Sequence, residues 1–128
     1  TTAQIKSLNS AQVQALTGAQ INSLSSESLA SIDTEDVASL TAAQVKNLST
    51  SAVANLTTDQ VKALTSTQLT ALTSPQIKAL ETGDLAQMST AQLGSLTTEQ
   101  MGALTTSQTI SLQTHQIRLL TPAYVQAL

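Results

Sequence analysis

Residues 57–80 read Thr57-Thr-Asp-Gln-Val-Lys-Ala-Leu64, Thr65-Ser-Thr-Gln-Leu-Thr-Ala-Leu72, Thr73-Ser-Pro-Gln-Ile-Lys-Ala-Leu80. Three consecutive octads share Thr at the first position, Gln at the fourth, an aliphatic residue at the fifth and Leu at the eighth. Working outward in both directions, the same frame cuts all 128 residues into sixteen octads without an insertion or deletion. The eighth position is Leu in fourteen octads, with Ile32 and Met88 as exceptions. The fifth is Ile, Val, Leu or Met in fifteen, with Thr109 as the exception. The first is Thr, Ser, Asn or Asp in fourteen, with Glu81 and Gln113 departing, and the fourth is Gln in eleven and Asp in two. Periodicity of this kind is the signature of a repeat architecture.

One long α-helix does not fit. At 3.6 residues per turn each octad would rotate the apolar pair by about 80°, so no neighbouring surface could bury it. Pro75 and Pro122 would stand in helix interiors. A strand ladder fits no better, because positions five and eight are an odd number apart and would face opposite sides. A helix that restarts in every octad satisfies each position. T-x-x-Q is a capping box, with the first position as N-cap and the Gln as the third helical residue. The Leu before the N-cap and the aliphatic residue after the Gln form a hydrophobic staple.

Charge placement supports this reading independently. The five basic residues, Lys6, Lys46, Lys62, Lys78 and Arg118, all occupy position six. The eight acids occupy positions one, three or four. Acids favour the positive N-terminal end of a helix and bases the negative C-terminal end. Here that segregation recurs octad by octad. Pro122 falls at the first helical position and Pro75 at the second, where no helical amide bond is lost.

Helices this short are unstable alone and must be held by neighbours. The expected fold is therefore all-α: a single domain over 1–128, a solenoid or superhelix of sixteen short capped helices, one per octad. Positions five and eight face inward. Position seven, Ala or Ser in twelve octads, allows close approach. An octad spans roughly 12 Å; a triangle of such sides leaves the axes about 3.5 Å from the centre and a square about 6 Å. The estimate favours about four helices per turn, and the hand is taken as right-handed. The chain begins in phase with the repeat and without Met, and reads as a fragment of a longer array.

Composition excludes several functions. Net charge is −3 with five basic residues, which lacks the footprint of a nucleic-acid binder. Tyr124 is the only aromatic residue, and there is no cysteine. No apolar run approaches the roughly 20 residues of a membrane span, so membrane insertion is not expected. His115, the only histidine, reads as a solvated side chain, with no metal, cofactor or catalytic partner expected beside it. Glu27, Asp33, Glu35 and Asp36 lack calcium-loop spacing and read as first-turn acids. Three late features break the pattern. Octad fourteen has Thr109 at the core position with Ile110 beside it, which suggests a local rotation. Leu119 is large where Ala or Ser is usual, and Tyr124 replaces Gln. They read as an atypical terminal segment; the sharper reading is a partner-binding patch of Ile110, Leu119 and Tyr124.

Octads of the form [ST]-x-x-Q-[IV]-x-x-L, as in TTDQVKAL and TSPQIKAL, resemble repeat tracts in very long bacterial proteins. Those are described as secreted or surface-exposed, adhesin-like, or loosely as heme-utilization proteins. The resemblance implies an extracellular or cell-surface spacer and carries over no ligand-binding residue. The expected function is a structural spacer or stalk rather than an enzyme, with the flanking domains of a parent protein as partners and end-to-end self-association of a severed array. The alternative is a binding module using the repeat surface, toward a protein or, through arrayed Thr at position two, toward ice or mineral. Such a module would show position-specific variation along one side of the coil, and no such side is evident from the octads alone.

Overall fold

The computed structural model describes residues 1–118 and 120. Among them run fifteen helices, one per octad: α1 (Thr2–Lys6), α2 (Ser10–Gln14), α3 (Gly18–Asn22), α4 (Ser26–Ala30), α5 (Thr34–Ser39), α6 (Ala42–Lys46), α7 (Thr50–Ala54), α8 (Thr58–Ala63), α9 (Ser66–Ala71), α10 (Ser74–Ala79), α11 (Thr82–Gln87), α12 (Thr90–Ser95), α13 (Thr98–Gly102), α14 (Thr106–Ser111) and α15 (Thr114–Ile117). The described residues contain no strand. The sixteenth octad, with Pro122, lies outside them.

Each helix begins where the sequence places its N-cap. Thr65 has φ −78° and ψ 162°, its Oγ1 accepts from Gln68 N, and Thr65 N donates to Gln68 Oε1. The helix then closes with a tight last bond, Leu72 N to Leu69 O at 3.2 Å. Leu72 itself is extended, with φ −65° and ψ 136°. Two successive extended residues, the eighth of one octad and the first of the next, thus make the corner. No described residue has a positive φ, so the bends need no left-handed glycine. Position eight therefore lies beyond the helix in the six-residue helices, although it still faces inward. One expected cap is not formed: Asp33 makes no side-chain cap bond, and Glu81, which departs from the N-cap pattern, makes none either.

The core is a continuous column of fifth- and eighth-position side chains. From Val45 to Met101 the fifth-position residues are at most 1% exposed. The buried eighth-position residues, which stand at the corners, reach 8%. No helix among the described residues is long and apolar enough to cross a membrane.

The helices stack with a period of three. Helix α2 packs on α5, α5 on α8, α8 on α11 and α11 on α14; α6 packs on α9, α9 on α12 and α12 on α15; α1 packs on α4, and α7, α10 and α13 follow one another. The coil therefore has three walls and three octads per turn, not four. The expected square fails for two reasons. Six helical residues and two extended ones give a side nearer 15 Å than 12 Å, which widens a triangle. Moreover, helices stacked at about 9 Å climb roughly 3 Å per octad, so the three walls insert their side chains at different heights. A flat polygon overstates the crowding.

Candidate functional site

The residue that organises the coil is the fourth-position Gln. Its position on the helix makes it buried and bifunctional. The N-cap amide donates to Oε1, which turns the opposite end of the side-chain amide out of the helix N-terminus. Nε2 of Gln68 then donates to Val37 O at 2.8 Å, Ala38 O at 3.2 Å and Leu40 O at 2.8 Å. These are C-terminal carbonyls of α5 and its corner: Val37 O otherwise accepts only the closing bond from Leu40 N, and the end of a helix leaves such carbonyls with spare acceptor capacity. The same pattern recurs in Gln44, Gln60, Gln76, Gln92, Gln100, Gln108 and Gln116. Their acceptors lie 28 and 31 residues earlier, at the corner one turn below. In a coil of four octads per turn the same acceptors would lie eight residues further back. The ladder is thus the local record of the three-octad turn. It also sets the positive N-terminus of one helix on the negative C-terminus of another.

The octads alone show the capping half of this role and not the second half. The signal was present: position four holds eleven Gln and no Glu. A capping box accepts either. Only the amide has N–H groups left to donate once its oxygen is occupied.

Where position four is Asp, the polarity of the cross-turn bond reverses. Ser10 Oγ donates to Asp36 Oδ1 at 2.7 Å, and Thr58 Oγ1 donates to Asp84 Oδ1 at 2.5 Å. Both carboxylates are buried, and no buried side-chain nitrogen or oxygen among the described residues lacks a hydrogen-bond partner. The three-octad turn also reveals a side of the coil that the octads alone conceal. Six of the eight acids fall in octads five, eight and eleven, which stack through α5, α8 and α11. Of these, Asp33, Glu35, Asp59 and Glu81 are exposed.

Of the three expected patch residues, one lies among the described residues. Ile110 is 77% exposed on α14, while Leu119 and Tyr124 lie outside the described residues. The expected rotation of octad fourteen does not occur. Thr105 and Gln108 keep the capping box, and Gln108 Nε2 still donates to Ile77 O and Leu80 O. Thr109 therefore stays at the core position, half-buried, with its Oγ1 donating to Thr105 O at 3.0 Å. The ladder holds the helix in place, and Ile110 is left in solvent. His115 is exposed in α15. No group of three or more His, Cys, Asp or Glu among the described residues could hold a metal ion. An open groove lined by Lys6, Glu27, Asp33, Glu35 and Asp59 leaves its carboxylates dispersed.

A column of self-capped helices, bonded turn to turn by a repeated amide, defines a helical solenoid and a structural repeat module. The chain belongs to the ALTTAQ repeat family, whose profile matches residues 1–26, 29–66 and 77–114. Read as a sequence, ALTTAQ runs across one corner, from position seven of one octad to position four of the next. Ala63-Leu-Thr-Ser-Thr-Gln68 and Ala103-Leu-Thr-Thr-Ser-Gln108 are two instances in this chain. It contains the corner Leu, the N-cap and the ladder Gln. No curated protein and no solved structure matches the chain.

Proposed function

We propose that this repeat module is a spacer or stalk that holds flanking domains apart in a large bacterial secreted or cell-surface protein. The observation that supports it is the closed bonding unit. The cross-turn glutamine bonds reach back no further than 31 residues. Octads can therefore be added or removed without a new kind of interaction, and length becomes an adjustable property. Uniformity along the chain agrees, because a spacer needs repetition rather than one unique site. No catalytic role is proposed. Attaching donor and acceptor dyes to the two ends and inserting three octads at a time tests this. The separation should grow by about 9 Å per insertion. A separation that stays constant or falls as octads are added would defeat the spacer.

A binding module using the repeat surface is the second reading, and the wall of α5, α8 and α11 favours it. Binding through that wall would be salt-sensitive and lost when Asp33, Glu35, Asp59 and Glu81 are neutralised together. Capture of a cationic peptide that is unchanged by those four substitutions counts against it.

A further inference from the structure

Octad seven, residues 49–56, has Ala52 where the ladder residue should stand. A ladder Gln supplies two things at its corner: an acceptor for the N-cap amide and a donor to the turn below. In octad seven the N-cap amide, Ser49 N, donates instead to Asn22 Oδ1 at 2.8 Å. Asn22 Nδ2 donates in turn to Asn47 O at 2.9 Å. Asn22 belongs to octad three, the octad whose C-terminal carbonyls a Gln at position 52 would have reached. One amide has been removed from above the corner and another supplied from below it.

A third departure from the repeat lies at the same place. Gly18 is the only glycine at position two of any octad. A Cβ there would meet Asn47 Cβ at 2.9 Å. Its φ is not positive, so its role is close approach rather than backbone freedom. Gly18 and Asn22 are unusual residues of octad three and Ala52 of octad seven, and the three-octad turn brings them to one corner.

We infer that Asn22 is a register-fixing residue, whose Oδ1 finds a free N-cap amide at the octad-seven corner, which lacks a ladder Gln, and not at the corners on either side of it. The neighbouring corners offer its Oδ1 no comparable donor. Thr41 N already donates to Gln44 Oε1, and Thr57 N to Gln60 Oε1, each at 2.9 Å. Near-identical octads could otherwise stack one unit out of place. The Asn22–Ser49 pair makes the native stacking distinguishable from a slip of one octad in either direction.

The test is a double-mutant cycle of Asn22→Ala and Ala52→Gln, read by amide hydrogen exchange in the intact chain. Exchange at Ser49 should accelerate about tenfold in Asn22→Ala, as expected for loss of one hydrogen bond. Exchange at Thr65, capped by its own Gln68, should not change. In the Ala52→Gln background the introduced side-chain amide supplies the acceptor, and Asn22→Ala should change Ser49 exchange less than about twofold. Equal acceleration in both backgrounds, no acceleration at Ser49, or equal acceleration at Thr65 would each overturn the inference.

Discussion

The octads of α1 and α8 have almost the same sequence, TTAQIKSL and TTDQVKAL, and very different surroundings. Both start with a Thr N-cap, close a capping box and place Lys in the last turn. Yet α1 has no buried residue, whereas Gln60 and Val61 of α8 are almost wholly buried. The side-chain oxygen of Gln4 accepts from the chain's own N-terminal ammonium at 2.7 Å. Gln60 uses its nitrogen as well, donating to Leu29 O and Ile32 O. The difference teaches that capping is a property of the octad and burial a property of the turn beneath it. An octad folds its own first turn but cannot shelter its own core.

Substitutions can break or sharpen this contrast, and the largest effect is expected from reversing a ladder donor. Gln68→Glu keeps the capping acceptor but aims a carboxylate at three carbonyl oxygens. It should cost about 3–5 kcal/mol at neutral pH, the range for an uncompensated buried charge. Burial and the carbonyls should raise the folded-state pKa of that Glu. The sign follows: the penalty is absent below the unfolded pKa, and stability falls as pH rises toward the raised folded value. Gln12→Glu, where no turn lies beneath, should stay within about 0.5 kcal/mol. Urea unfolding at neutral and acidic pH compares the two, and equal losses would remove the ladder as the cause.

The core contrast comes next. Leu72→Ala should cost about 2–5 kcal/mol, and Leu8→Ala, at the same octad position but half-buried, about 1 kcal/mol. Removing a ladder amide outright is milder. Gln100→Ala should cost about 1–3 kcal/mol, because Leu72 O loses the ladder donor and Leu69 O keeps only its closing bond from Leu72 N. The smallest effect is expected at Thr70. It is exposed and bonds only to carbonyls of its own helix, so Thr70→Ala should be within about 0.5 kcal/mol of neutral. Thermal melts of the three variants order them, and a Thr70→Ala loss as large as that of Leu72→Ala would misplace the core.

What is legible in the octads follows from reach. Thr65 and Gln68 are three residues apart, so their capping box can be read from spacing alone, and the inward position of Leu72 follows from the cap. The exposure of Ile110 is not legible. From octad fourteen alone, turning Thr109 out and Ile110 in looks favourable; Gln108, bonded to Ile77 and Leu80 one turn below, holds the helix against it. The joint role of Gly18, Asn22 and Ala52 is hidden for the same reason, since Ala52 stands four octads away from the other two until the turn length is known.

The amino-acid sequence by itself determined where the chain bends and that the aliphatic residues at positions five and eight turn inward, because caps and staples act within about five residues. Tertiary structure alone decided that three octads close a turn, that Gln68 bonds across it and that the acids of octads five, eight and eleven share a wall. Those facts depend on which octad lies one turn below, and near-identical octads do not encode that locally. It emerges only when the coil closes and the carbonyls at each helix end meet an amide from the next turn.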